Sequence, residues 1–416
     1  MRRRAVITGI GCVSPNGIGR ESFAAALRAG RSGVGKVSLF DPEGLAVTIA
    51  AEVKQFDPTA HLPAREVARL SRAVPMAIAA STEAFRDAGI DPAALTLDES
   101  RAISVLLGTG GGAIEFAERM YHLYYTGQQR KASAHTISTG TIGTMSSELS
   151  MKFGLRGASH VITTGCASST DALGYAFRAI KHGEGDVFLV GGVDATIVRG
   201  IMEGFILMRV VSTIRDDAPA AASRPFSADR DGFVLGEGAW MFVVEESERA
   251  KARGARAYGE IAGYGATCDA HHRIRLDESG EEPARAMAMA LGEARLPPEA
   301  IGYLAYHGTS TEMNDRTETR AVKMAFGAAA RKIPGSSIKS MIGHPQGACG
   351  AAGVAATLLA MRDGFLPPTI NLDAPDPECD LDYVAGTART AAFDAALCNC
   401  IAFGSKNSAL VLQKTS

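Results

Sequence analysis

Short apolar runs ending on glycine or a polar residue recur along the chain, and each is followed by a stretch with helically spaced apolar positions. The clearest are residues 5–8, 103–107 before Gly108-Thr109-Gly110, 187–190 before Gly191-Gly192, 301–305 and 398–403. They read as strands, and the strand-then-helix alternation predicts an α/β layered fold. Residues 167–182 place Ala172, Leu173, Ala176, Phe177 and Ile180 on one helical face, with polar residues near the start. A basic stretch at 249–256 closes one series of such units, and Tyr258 opens a second. No solenoid-like period or low-complexity segment interrupts them.

Composition narrows the classes without naming a chemistry. A chain of 416 residues has room for two or three domains, although large α/β units also fold around one sheet system. A formal net charge of −2 gives no general nucleic-acid footprint. Seven cysteines at irregular spacing, with no C-x-x-C pair and no secretory signal, point to a reducing cytoplasm. The basic MRRR start leads into a segment too short and too glycine-broken for a signal sequence. No apolar run approaches the roughly 18 residues of a membrane span, so none is expected.

The chemistry concentrates at three places. In Thr163-Thr164-Gly165-Cys166-Ala167-Ser168-Ser169 a strand and turn end and a helix begins, which places the Cys166 thiol at a helix N-terminus, where the dipole favours thiolate. The plain alternative is a buried cysteine in a tight turn. His307 sits at a strand end in Tyr306-His307-Gly308-Thr309, and His344 follows a short strand and a glycine turn in Lys339-Ser340-Met341-Ile342-Gly343-His344. Either alone reads equally as a satisfied core histidine. Together with a helix-start cysteine they form a set suited to acyl transfer.

Other signals carry less. Glycines at 30–35 before Lys36 begin like a phosphate loop, but Val37 stands where a Mg²⁺-binding hydroxyl is needed. His271 and His272 are adjacent, so they diverge and lack metal-ligand spacing. Cys398 and Cys400 share a strand face and read as small apolar packing groups. The GTGGG run at 108–112 lacks the full dinucleotide fingerprint and is expected to shape a substrate cavity.

Seven motifs in this order resemble the β-ketoacyl-acyl-carrier-protein synthases, condensing enzymes of the thiolase-like superfamily. They are VITGIGCVSPNG at the start, GLRG at 154–157, TTGCASS at the cysteine, RPFSADRDGFVLGEGA at 224–239, HGTSTEMNDRTET at 307–319, IKSMIGHPQGACGAAG at 338–353 and IAFGSKNSALVL at 401–412. The resemblance implies a thiolase-like α/β fold of two pseudo-duplicated halves, 1–255 and 256–416, in α-β-α-β-α layers. It implies that Cys166 is the nucleophile, that the Cys166 and Phe403 amides form the oxyanion hole, and that Phe403 gates the site. His307 and His344 are then the enolate-stabilising pair. Lys339 and Glu318 organise the site, either as a structural ion pair or in proton transfer. Thr309 and Thr311 meet the phosphopantetheine arm or, alternatively, cap their loop.

The same resemblance implies no cofactor and no metal, since substrates arrive on the phosphopantetheine of an acyl carrier protein. It implies a homodimer, or a heterodimer with a chain-length-factor-like subunit, with Lys406 and Arg209 as candidate carrier contacts. The TTGCASSTDALG stretch looks closer to type II polyketide ketosynthases than to housekeeping elongation enzymes. Ile401, Ser405 and the bulky residues 205–209 depart from the common fatty-acid pattern. The expected activity is decarboxylative Claisen condensation in a type II polyketide or polyene pathway. Housekeeping fatty-acid elongation is the alternative. A non-catalytic chain-length subunit or a thiolase fits less well, because the cysteine and both histidines are present.

Overall fold

The computed structural model describes residues 3–415. Ten strands carry the main sheet system: β1 (Ala5–Ser14), β2 (Ile103–Gly108), β3 (Ser159–Ile162), β4 (Val187–Asp194), β5 (Gly238–Glu246), β6 (Gly259–Cys268), β7 (Tyr303–Ala305), β8 (Gly335–Ser336), β9 (Ala395–Ala402) and β10 (Lys406–Gln413). Their spatial order is β8-β7-β9-β10-β6-β1-β5-β4-β2-β3. The first five strands in sequence therefore form one half and the last five the other. The halves meet where β1 pairs antiparallel with β6, Ala5 opposite Ile261 and Ile7 opposite Gly259.

Side chains alternate across each strand, so each half feeds two cores. Val105, Leu107, Leu189 and Val243 enter an outer core under helix α1 (Ala73–Ala88), while Leu106, Val190, Phe242 and Val244 enter a central core. In the second half Ala395, Leu397, Ala409 and Val411 point outward, and Ala396, Cys398, Leu410 and Leu412 point to the same central core. That centre holds α2 (Ser168–His182) and α5 (Cys349–Asp363) between the sheets, while α3 (Glu281–Ala294) and α4 (Glu312–Phe326) cover the outer face of the second half. The result is the expected α-β-α-β-α layering.

The two halves repeat a packing detail. A Cβ on Gly9 or Gly11 would lie 2.1 Å from the Ala84 carbonyl oxygen or 1.9 Å from that of Ala80. On Gly263 or Gly265 it would lie 2.1 Å from the carbonyl oxygen of Ala290 or Ala286. In both halves, therefore, an outer helix lies directly on a glycine-x-glycine segment of the first strand.

Burial of α2 is wider than its apolar stripe suggested. Ser168, Ser169, Thr170 and Asp171 are buried along with Ala172, Leu173, Ala176, Phe177 and Ile180. The helix is enclosed by both sheets and by α5, so its polar start is paired internally: Asp171 accepts from Thr164 Oγ1 at 2.6 Å and Tyr264 OH at 2.8 Å. The N-termini of α2 and α5 come together, since a Cβ on Gly350 would meet Thr170 Oγ1 at 2.0 Å. No helix among the described residues is long and apolar enough to cross a membrane.

Candidate active site

The turn before α2, the loop after β7 and the loop before α5 converge on one point. Cys166 Sγ lies 3.2 Å from His344 Nε2. The ring centroids of His307 and His344 are 5.4 Å apart with nearly perpendicular planes. All three residues are buried, and with Thr309, Thr311 and Phe403 they line a cavity of about 380 Å³.

Each histidine is held through its backbone. His344 N–H donates to the Val234 carbonyl at 2.7 Å, and Gly236 N–H donates to the His344 carbonyl at 3.0 Å, so the GFVLGEGA part of the 224–239 motif clamps the loop. His307 N–H donates to Glu318 Oε1 at 2.6 Å, and Gly308 N–H donates to Oε2 at 2.7 Å. Lys339 Nζ donates to the His307 carbonyl at 2.6 Å and stands 3.4 Å from its Nδ1. Lys339 and Glu318 thus form no ion pair with each other. The expected pairing is replaced by two separate grips on His307, with Asn399 Nδ2 donating to Glu318 at 2.7 Å.

Burial dominates the electrostatics. It pushes both imidazoles well below their ordinary range, and the Lys339 charge adds to this, so both rings are neutral at neutral pH. Burial also raises the Cys166 thiol, as does Cys349 nearby, against smaller lowering effects from the Lys339 charge and the Phe403 N–H. Helix α2 starts two residues later, at Ser168. Glu318, also buried, is raised to about 7 although three donors oppose the shift.

Thr309 and Thr311 hydroxyls lie 2.8 Å apart on the cavity wall. A buried network holds their loop. Arg230 Nη1 binds Asp376 at 2.8 Å, Arg230 Nε donates to the Thr311 carbonyl at 3.2 Å, and Asp315 accepts the Thr309 N–H at 3.0 Å. Phe403 stands at the turn between β9 and β10, part-buried against the apolar cluster that holds Val211, Phe233 and Leu235. The next residues adopt positive φ, 83° at Gly404 and 65° at Ser405, and Ser405 Oγ donates to the His272 carbonyl at 3.0 Å. That hydroxyl ties the turn to the 269–274 loop, a restraint glycine would lack.

Several expectations from sequence change here. The GTGGG run does not line the cavity. Asp194, fully buried, binds the Gly110, Gly111 and Gly347 amides at 2.7–2.9 Å and so ties that loop to the one carrying His344. Cys398 packs beside Thr357 as expected, whereas Cys400 belongs to a small cluster with Cys166 and Cys349. His272 caps its own loop, its Nδ1 accepting the Ile274 N–H at 3.0 Å. Gly33 N–H donates to the Met341 carbonyl at 2.7 Å in a packed loop. Arg209 lines the cavity mouth together with Arg275, while Lys406 is exposed and outside the lining. Asp194, Arg230 and Asn399 escaped sequence reasoning, because a buried polar residue on a strand or loop has no local pattern.

Comparison with known proteins decides the family. The family descriptions "Beta-ketoacyl synthase, N-terminal domain" and "Beta-ketoacyl synthase, C-terminal domain" match residues 2–250 and 258–373. The chain belongs to the β-ketoacyl synthase family. This ketosynthase is 40% identical over 413 residues to 3-oxoacyl-[acyl-carrier-protein] synthase 2 of Synechocystis, covering 99% of this chain and 98% of that protein. It is also 40% identical over 419 residues to the tetracenomycin polyketide synthase ketoacyl synthase alpha subunit of Streptomyces glaucescens, covering 99% and 97%. Among solved structures, the ishigamide ketosynthase/chain length factor superposes with a TM-score of 0.91 at 34% identity, covering all of both chains. That thiolase-like fold is the one the layering describes.

Proposed function

We propose that this ketosynthase condenses a Cys166-bound acyl thioester with a malonyl group on an acyl carrier protein, in a type II polyketide or polyene pathway. The observation that carries the reading is the Cys166 Sγ to His344 Nε2 contact of 3.2 Å at the base of a cavity into which both histidines open.

In the first half-reaction the Cys166 sulfur attacks the acyl thioester carbon and the carrier thiol leaves with the proton Cys166 gives up. The raised thiol makes this proton loss the demanding step, and the Lys339 charge and Phe403 N–H ease it. The tetrahedral oxyanion is stabilised by the Cys166 and Phe403 amides. In the second, the bond from the malonyl α-carbon to its carboxylate breaks, CO₂ leaves, and the electron pair becomes an enolate. Neutral His307 and His344 donate Nε2–H to that oxygen. For His307 this tautomer leaves Nδ1 as an acceptor facing the Lys339 ammonium 3.4 Å away. The carbanion attacks the acyl-Cys166 carbon and Cys166 is released as thiolate. Thr309 and Thr311 guide the phosphopantetheine arm along the cavity wall. No bound cofactor enters these steps.

Polyketide-type use is supported by the TTGCASSTDALG motif and by the Ser405-tethered turn. The bulky Phe205 and Ile206, with Phe233, leave a void of only about 10 Å³ behind the cavity wall, so a chain entering there requires that wall to move. A dimeric state is supported by the free edge of β3, which pairs only with β2 among the described residues. It is supported too by exposed Tyr125 and Ile137 in the segment between those strands, at 87% and 76%. The partner is a second copy or a chain-length-factor-like subunit. Carrier docking falls to Arg209 and Arg275 at the cavity mouth. The setting of these reactions is the cytoplasm.

Incubating the chain with candidate acyl primers and malonyl carrier protein, followed by mass spectrometry of carrier-bound products, tests the assignment. Polyketone intermediates support it, and exclusive single extensions of saturated acyl primers transfer it to fatty-acid elongation. Absence of condensation, with or without an added partner subunit, overturns the enzyme reading.

A further inference from the structure

Two more thiols stand behind the nucleophile. Cys349 opens α5 and Cys400 lies in β9, both buried, with their sulfurs 3.6 Å apart. Each donates its S–H to the Cys166 carbonyl oxygen, at 3.2 Å from Cys349 and 3.0 Å from Cys400. On the side away from the substrate cavity, His307 Nδ1 lies 3.5 Å from Cys400 Sγ and 4.0 Å from Cys349 Sγ. None of the condensation steps uses either thiol.

We propose that Cys349, Cys400 and His307 Nδ1 form a binding site for a thiophilic divalent cation of the Zn²⁺ type. Tetrahedral zinc, with Zn–S about 2.3 Å and Zn–N about 2.0–2.1 Å, sets ligand edges of roughly 3.8 Å between sulfurs and roughly 3.6 Å from sulfur to nitrogen. The measured edges of 3.6, 3.5 and 4.0 Å depart from these by at most about 0.4 Å, so the cation needs only side-chain adjustment. Two thiolates and an imidazole are the donors that soft and borderline cations prefer. The Cys166 carbonyl oxygen, 3.2 and 3.0 Å from the two sulfurs, supplies a fourth donor.

Charge balances within the cluster. Binding expels one proton from each thiol, and two thiolates neutralise the dication, so the Lys339 ammonium faces a neutral group and keeps its bond to the His307 carbonyl. Affinity therefore rises with pH. Coordination also exchanges both S–H bonds to the Cys166 carbonyl for contact with the cation, shifting the nucleophile turn and slowing acyl transfer. That kinetic consequence rests on Cys166 being the nucleophile. The binding itself does not.

The test titrates Zn²⁺ into the reduced, metal-stripped full-length protein against a chromophoric chelator, and Co²⁺ in parallel to read thiolate-to-cobalt charge-transfer absorption. One equivalent of Zn²⁺ should bind, should survive Cys166→Ala, and should weaken by more than about tenfold in Cys349→Ala and in Cys400→Ala. Circular dichroism checks their folding, and Cys349→Ser and Cys400→Ser, closer in volume and poor zinc ligands, serve if alanine unfolds the chain. Failure to bind stoichiometrically overturns the proposal. So does binding that Cys166→Ala abolishes and the Cys349 and Cys400 variants keep, because the metal would then sit on Cys166, His307 and His344.

Discussion

Glu318 and Lys339 grip His307 from opposite ends, the carboxylate accepting its N–H at 2.6 Å and the ammonium donating to its carbonyl at 2.6 Å. A single residue is thus fixed by two buried ionisable side chains that do not touch each other.

Removing the ammonium tests this arrangement. Lys339→Met leaves the His307 carbonyl without its donor, a loss of about 1–3 kcal/mol, and removes a charge that lowers the Cys166 thiol. The pH profile of Cys166 alkylation should move to higher pH, and malonyl decarboxylation should fall by about tenfold or more. An unmoved alkylation profile would show that Lys339 does not act on the sulfur.

Substitution at the three central residues should separate the half-reactions. Cys166→Ala abolishes acyl loading and condensation. His307→Ala or His344→Ala should cut decarboxylation of malonyl carrier by about 10²–10³-fold, the usual loss of one oxyanion donor, while acylation of Cys166 stays measurable by intact-protein mass. Decarboxylation at the wild-type rate in both histidine variants would refute the enolate role.

Glu318 ties stability to pH. Its folded pKa of about 7 lies above its ordinary 4.5, so between these values the folded state holds a proton that the unfolded chain has lost. Stability contributed by this group is full below about 4.5 and is lost as pH rises through about 7. Glu318→Gln should flatten that decline in denaturant melts across the window. A wild-type slope unchanged by the substitution would refute the protonation.

Phe403 should order the two half-reactions. Its ring packs on the apolar cluster around Phe233 and lines the cavity with Cys166, so Phe403→Ala opens the passage before acyl loading. The ratio of malonyl decarboxylation to condensed product should rise in a folded variant. An unchanged ratio removes the gate.

The duplicated glycines give a stability prediction independent of catalysis. Gly265→Ala drives a methyl to 2.1 Å from the Ala286 carbonyl oxygen and should cost about 1–3 kcal/mol or more, since a helix backbone must move. Thermal melting measures it, and an unchanged midpoint would mean that α3 shifts freely.

Local order in the chain determined a good deal. Apolar runs at 103–107 and 187–190 became β2 and β4, helix 167–182 differed from the observed Ser168–His182 by one residue, and motif order marked Cys166, His307 and His344 as one set. The tertiary structure alone decided how they meet. Lys339 and Glu318 bind His307 rather than each other, Asp194 ties down the GTGGG loop away from the substrate cavity, and Cys400 packs beside Cys166. It also decided that the Cys166 thiol is buried, which raises it. The reason is physical: periodicity encodes which face of a segment is buried, and it carries no information on which atom waits across the core. The Cys166 to His344 contact spans 178 residues of sequence, and its partners and dielectric exist only once both sheets have closed over α2 and α5.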